Sequence, residues 1–344
     1  MRPILLITSA ALLLAAGVAS APVMAAGDPQ LDFRELVRLG NASPRLYSIL
    51  ANWHGQPVLE QYFHGKKATT YANVKSASKS VLAALIGIAI ERKLIPGVRT
   101  PIANYFPEIA KDAERKSITI EDLLTMRSGL RSTSNRYYGA WVGSSNWVRH
   151  VLTRPLEATP GTQMIYSTGN THLLSAILTK AAKSTTWAFG QQAFAKPLGF
   201  TLAQWPQDPQ GIYFGGNDML LTPRQMMTIG ELYLHQGKQG STQVVPSQWV
   251  AESCSAKTIS PRNGEGYGYG WWIGNFGGFE ACYAWGFGGQ YIFVMPQLDL
   301  TIVATSSPVD GEDRRQQRGV VFDLVEEQIV PQIAQRMGLT PPAR

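Results

Sequence analysis

Hydrophobic and polar positions change their rhythm three times along the chain. Gly27–Gly40 places Leu31, Phe33, Leu36, Val37 and Leu39 at helical spacing, which predicts a short amphipathic helix. Leu46–Trp53 and Val58–Phe63 read as strands, with His54-Gly-Gln-Pro57 as the turn between them and His64-Gly-Lys-Lys67 closing the hairpin. The rhythm then becomes helical. Val81–Ile90 is apolar at every position and ends at Glu91-Arg-Lys93, as a buried helix does. Residues 94–117, with Pro96, Gly97, Pro101 and Pro107, read as loop. Ser117–Met126 predicts a helix in which Thr119 and Asp122 form a capping box, ended by Ser128-Gly129. Residues 131–149, rich in Tyr, Trp, Ser, Gly and Asn, read as a long ordered loop lining a site, or as ordinary surface loop. A Pro160-Gly161 turn and Tyr166–Asn170 lead into an apolar helix, Thr171–Leu178. Helical and loop segments continue to about Gln239, and a short helix starts at Pro246 or Ser247. After Pro261 strands return: Gly264–Ile273, Ala281–Trp285, Gln290–Met295 and Leu298–Thr305, each antiparallel to the next. Asp313–Arg336 closes the chain as a helix with Val320, Val321, Leu324, Val325, Ile329 and Ile333 along one stripe, and a kink is expected at Pro331.

Early strands, a helical middle and late strands predict an α+β protein. An antiparallel sheet, flanked by N- and C-terminal helices, is built from residues 26–70 plus 262–344, and a mostly helical domain, 71–261, is inserted between them. Residues 1–25 read as a cleavable export segment: Arg2, then a mostly apolar Ile4–Val18, then Val23-Met-Ala25. Cleavage is expected after Ala25, with Ala21 or Ala26 as alternatives, giving a periplasmic or secreted protein without a stable membrane anchor. The Val81–Ile90 run is too short to span a bilayer.

Composition narrows the picture. The 344 residues, 44% hydrophobic and 16% charged, suit a folded protein with a large core and exclude a disordered one. A formal charge of +7 falls to +6 once Arg2 leaves with the export segment. Its basic residues are scattered, which argues against nucleic-acid binding and reads as a solvated surface favourable toward anionic cell-envelope polymers; the expected partner is a small-molecule or short peptide-like substrate. The five histidines, at 54, 64, 150, 172 and 235, are dispersed, so no metal site is expected. The glycine run 264–270 alternates with Tyr among late strands rather than forming a dinucleotide or phosphate loop, so no cofactor is expected. Cys254 and Cys282 fit either one disulfide or two buried thiols.

The chemistry gathers at Asn73–Ser80. Ser76 and Lys79 stand three apart where the buried helix begins, so their side chains share a face. A serine hydroxyl is a weak nucleophile until a base takes its proton, and a lysine serves as that base only when burial or a helix N-terminus lowers its pKa. The same pair also fits an N-cap serine beside a snorkelling lysine. Among the other serines of that stretch, Ser78 and Ser80 have no lysine at this spacing. Tyr166 is a candidate second proton carrier, its phenol pKa pulled down by a lysine ammonium, or else a core tyrosine. The glycines of Trp285-Gly-Phe-Gly-Gly-Gln290 allow backbone to approach a substrate, or simply make a tight turn.

Ser76-Ala-Ser-Lys79, Leu123-Leu-Thr-Met-Arg-Ser-Gly-Leu130, Tyr166-Ser-Thr-Gly-Asn170 and Phe287-Gly-Gly-Gln290 follow in the order and spacing of the serine β-lactamase-like hydrolases, which the chain resembles from about residue 44 to the last strand. That superfamily takes in class C β-lactamases, DD-peptidases, family VIII carboxylesterases and 6-aminohexanoate-dimer hydrolases. The resemblance implies that Ser76 is the acylated nucleophile, Lys79 its base and Tyr166 the second acid/base group. It implies an oxyanion hole from the Ser76 and Gln290 backbone N–H groups, with Gly288, Gly289 and Asn170 in the substrate site. Two positions depart from the pattern. Thr168 stands where class C enzymes carry the asparagine of Tyr-x-Asn, and Phe287 replaces the Lys or His of the third motif. Losing that cation removes a handle for a substrate carboxylate, which points toward an esterase or amidase rather than a β-lactamase or DD-peptidase. The non-enzyme alternative is a cell-envelope binding protein on the same fold.

Overall fold

The computed structural model describes residues 31–311 and 314–340. The expected export segment, 1–25, lies outside them. Helix α1, Arg34–Ala42, begins later than expected and runs past Gly40, with the Asp32 carboxylate accepting the Arg34 N–H at 3.0 Å. Strands β1 (Leu46–Trp53) and β2 (Gln56–Tyr62) form the hairpin, but its turn is only His54-Gly55. Both residues have positive φ, 52° and 67°, the geometry that matches strand twist. Gln56-Pro57, expected in the turn, therefore belongs to β2, and proline is tolerated there because β2 is the edge strand.

A two-residue strand β3 (Ala72–Asn73) pairs with β4 (Leu220–Leu221). Between them in sequence lie α2 (Ser78–Glu91), α3 (Ile120–Leu124), α4 (Tyr138–Val142), α5 (Trp147–Leu152), α6 (Thr168–Ala182) and α7 (Thr186–Gly190). Every residue of α2 from Ser78 to Ala89 is buried, as its unbroken apolar run requires. The Thr119–Asp122 capping box on α3 is formed in both directions. The expected loop 131–149 instead holds α4 and α5, whose Trp141 and Trp147 are buried in the helical core. Helix α8 (Pro223–Leu234) follows, then a small hairpin of β5 (Lys238–Gln239) and β6 (Thr242–Gln243), then α9 (Ser247–Ser253), which starts where expected. Cys254, the residue after α9, is disulfide-bonded to Cys282, with 5.4 Å between Cα atoms.

The remaining strands are β7 (Thr258–Ile259), β8 (Gly266–Tyr267), β9 (Trp272–Phe276), β10 (Phe279–Gly286), β11 (Gln290–Met295) and β12 (Leu300–Ser306). The glycine-rich stretch 264–273 is thus two strands and a turn, not one strand. The eight-stranded antiparallel sheet runs β2-β1-β12-β11-β10-β9-β8-β7. All seven residues of central β12 are buried, because the sheet is covered on both faces. Its side chains alternate between two cores. Leu50, Ile292, Val294 and Val303 face the helical body with α2 and α8. Ile49, Ala51, Phe293, Met295, Ile302 and Ala304 face α1 and the C-terminal helices. Each of these side chains larger than alanine contributes about 1.5–3 kcal/mol by leaving water. The closing segment is α10 (Arg314–Asp323), one π-helical turn from Leu324 to Ile329, and α11 (Val330–Arg336). Pro331 donates no N–H and crowds the carbonyl four residues back, so the widened turn just before it is the local form of the expected kink. Among the described residues no helix is long and apolar enough to cross a membrane.

Candidate active site

Ser76 sits in a 3-10 turn, Lys75–Ala77, that delivers the chain into α2, one step earlier than the helical first turn expected for it. The turn is held from several sides. Val74 N–H reaches the Met219 carbonyl at 2.9 Å, extending the β3–β4 pairing. Lys75 has φ 49°, a left-handed conformation that costs a non-glycine residue energy and needs support. That support comes from Asn73 Oδ1, which accepts the Lys75 N–H at 3.0 Å, and from Asp218 Oδ1, which takes both Lys75 Nζ and Asn73 Nδ2 at 2.8 Å. Ser78 Oγ donates to the Lys75 carbonyl at 2.6 Å and accepts from Met219 N–H at 3.2 Å. On the sheet side, the ends of β10 and β11 border this turn. Gly286 makes that approach: a Cβ there would run into the Val74 carbonyl oxygen.

Lys79, in the first turn of α2, is 1% exposed. Its Nζ lies 3.0 Å from Ser76 Oγ, 3.3 Å from Thr168 Oγ1 and 2.6 Å from the Gly216 carbonyl. Burial lowers its pKa from 10.5 to about 7, with nearby Asp218 pulling the other way. The amine is therefore uncharged in a large fraction of molecules at neutral pH.

Tyr166 packs on the same cluster. Lys79 Nζ stands over its ring at 5.1 Å, Trp272 stacks on it at 5.8 Å and Tyr267 meets it edge-on at 6.2 Å. Burial pushes the phenol up to about 12, and its hydrogen bond with the Ser76 side chain offsets only part of that. The expectation of a lowered phenol pKa is therefore corrected. The lysine lies over the ring face, and it carries little charge where it would have to act. Ahead of Tyr166, Ser132, Thr133 and Ser134 clasp the segment 166–169. Ser132 Oγ donates to the Tyr166 carbonyl at 2.7 Å, while Ser134 Oγ and Thr133 Oγ1 accept from the free N–H groups of Thr168 and Gly169 at the start of α6, at 2.9 and 2.8 Å. This short piece is the part of 131–149 that serves the site.

Gln290 opens β11 opposite Gly286. Its side chain is turned into the sheet, with Nε2 donating to the Ser306 carbonyl at 2.6 Å, so only its backbone is left to serve the Ser76 side. Gly288 and Gly289, at φ 82° and 102°, shape the turn before it, and side chains there would meet Ser307 and Ser306 rather than the cleft. Phe287, just before them, is 38% exposed. Asn170 is fully buried and accepts from Ser128 Oγ at 3.0 Å. Thr168, the departure from the usual motif, is what reaches Lys79. The roles of Gly216 and Asp218 are not legible in the sequence, and Gly286, expected to let backbone approach a substrate or make a tight turn, instead lets the Val74 carbonyl come close. Gly215-Gly-Asn-Asp218 shows in sequence only as a turn-forming cluster, and no local signal says whose carbonyl meets a lysine 137 residues away.

Comparison with known proteins places these features in company. A family model described as Beta-lactamase matches residues 48–326. No match is found among curated proteins. Solved structures with the same fold include a Bacillus anthracis protein assigned as a 6-aminohexanoate-dimer hydrolase, at 18% identity and TM-score 0.71, covering 90% of this chain and 82% of that one. A penicillin-binding protein homologue from Pyrococcus abyssi is 19% identical with TM-score 0.67, covering 89% of this chain and 77% of its own. A family VIII carboxylesterase is 16% identical with TM-score 0.65, covering 85% and 96%.

Proposed function

The chain belongs to the beta-lactamase family, and on that footing we propose that it is a serine hydrolase that cleaves an ester or amide through an acyl-enzyme on Ser76. The observation that carries this is the buried Lys79 amine 3.0 Å from Ser76 Oγ with a pKa near neutrality. A neutral amine has two N–H bonds and one lone pair. The hydrogens fit the Gly216 carbonyl and Thr168 Oγ1, which leaves the lone pair for Ser76. In acylation, Lys79 takes the Ser76 proton as Oγ attacks the acyl carbon. The backbone N–H groups of Ser76 and Gln290 hold the oxyanion. The Tyr166 phenol, neutral throughout the physiological range, gives its proton to the leaving oxygen or nitrogen and recovers one from the Lys79 ammonium. Water repeats the cycle to release the acid. With Phe287 in place of the motif cation and Trp272 stacked on Tyr166, the site suits acyl groups without a carboxylate. The Cys254–Cys282 bond supports export to an oxidising compartment, periplasmic or extracellular.

Three results follow. The wild-type protein turns over a p-nitrophenyl short-chain ester and gains no mass from a penicillin; a stable penicillin adduct would instead indicate a penicillin-binding peptidase. The kcat/KM for that ester rises through about pH 7 as Lys79 loses its proton, then stays level to about pH 10, because Tyr166 titrates near 12. A fall near pH 9 would contradict the raised phenol pKa. Tyr166→Phe lowers kcat by about 10²–10⁴-fold with KM nearly unchanged, and unchanged kcat would remove Tyr166 from proton transfer.

A further inference from the structure

His172 and Asp208 form a completely buried pair that the chemistry above does not use. His172 Nε2 is 2.9 Å from Asp208 Oδ2, and neither side chain touches solvent. Trp141, Trp147 and Phe214 ring the imidazole at 5.4–6.0 Å, which would suit an ordinary core histidine. Its other nitrogen is what sets it apart: Nδ1 accepts the Gly215 N–H at 3.4 Å. The carbonyl of the following residue, Gly216, is the shortest contact of Lys79 Nζ.

We propose that His172, oriented by Asp208, is a positioning residue that holds the Gly215-Gly216 backbone against Lys79 and so sets the place and proton affinity of the catalytic amine. This rests on the hydrolase reading for its purpose, though not for its geometry. Thr168 and His172 stand four apart on α6 and share a face. Thr168 touches Lys79 directly, and His172 reaches it through one peptide unit. Gly215 lies so close over α6 that a side chain there would strike the Thr171 carbonyl, so the loop has little freedom except to slide along the helix. The bond from Gly215 to Nδ1 blocks that sliding only if Nδ1 carries no proton. The carboxylate fixes this. Burial pushes the Asp208 pKa up, but its bonds with His172 and the Gln210 and Ile212 N–H groups outweigh burial and hold it below the ordinary carboxylate range. An ionised Asp208 accepts from Nε2–H, which leaves Nδ1 bare to accept from Gly215. Asp208 Oδ1 meanwhile takes the Gln210 and Ile212 N–H groups at 2.8 and 2.9 Å, tying the pair to the loop that leads to Gly215.

Two measurements test this. In wild-type protein carrying ¹⁵N-histidine, His172 is expected at pH 8 with its proton on Nε2 and none on Nδ1, as the Asp208 and Gly215 contacts require; a proton on Nδ1, in a neutral or a cationic ring, overturns the proposal. Asp208→Asn keeps Oδ1 for the two N–H bonds and turns an N–H donor toward Nε2, which forces the proton onto Nδ1 against Gly215. The Gly216 carbonyl favours the charged amine, so its withdrawal is expected to move the Lys79 midpoint, read by ¹³C-lysine NMR, below the wild-type value. Labelling of Ser76 by a fluorophosphonate is expected to slow by about ten- to a hundredfold. A folded Asp208→Asn protein with an unchanged Lys79 midpoint overturns the proposal. A wild-type protein that takes no label at Ser76 overturns the hydrolase reading instead, and the midpoint comparison still decides the positioning role.

Discussion

Ser76→Ala is expected to bring ester hydrolysis down by about 10⁴-fold or more, to the level set by binding alone, while the protein folds as before. The hydroxyl has little structural duty. Its turn is held by Asn73, Asp218, Ser78 and the β3–β4 pairing, none of which uses Ser76 Oγ. Lys79 Nζ keeps Thr168 and Gly216 as partners when Ser76 Oγ is gone. Thermal unfolding of the variant should therefore stay within about 1 kcal/mol of wild type. Residual hydrolysis above one part in a hundred would place the nucleophile elsewhere.

Lys79→Met is expected to cut kcat/KM by about 10³-fold or more and, at the same time, to make the protein more stable below pH 7. The sign follows from linkage. The folded lysine titrates near 7 and the unfolded one near 10.5. Between those values the unfolded chain binds a proton that the folded chain lacks, so wild-type stability climbs with pH across that window. Below pH 7 both states are charged and the full penalty of the buried ammonium is present. A shift of this size corresponds to roughly 4–5 kcal/mol, more than the about 1–3 kcal/mol lost when the Gly216 carbonyl has no donor. Methionine removes the charge, so the variant should melt a few degrees higher at pH 6, and its stability should lack the rise above pH 7. A lower melting temperature at pH 6 would mean that Lys79 is not buried as a cation. Near-wild-type turnover would end its role as base.

The parts legible in sequence are those whose cause is local. The α2 run is apolar on every face, so it announces a core helix whatever surrounds it. Thr119 and Asp122 cap α3 through bonds spanning three residues. The alternation of β11 and β12 follows from two covered sheet faces. The parts that escaped depend on residues far apart in the chain. Helices α4 and α5 have five and six residues, too short to form by propensity, and exist because Trp141 and Trp147 bury against His172 and Phe214. The Tyr166 pKa is raised by burial, and the Trp272 and Tyr267 rings packed on it lie about a hundred residues later, which no local pattern ties to it. Thr168 was visible as a departure from a motif. Its contact with Lys79 needed α2 and α6 packed side by side.

The measurement that bears most directly on an acyl-enzyme at Ser76 is intact-protein mass spectrometry after incubation with a fluorophosphonate, with Ser76→Ala beside the wild type. One adduct on the wild-type chain, mapped to the peptide containing Ser76 and absent from the alanine variant, is the expected result. An adduct that persists in the variant, or none on a folded wild-type protein, would contradict it, and the second outcome would leave a cleft that binds without turnover.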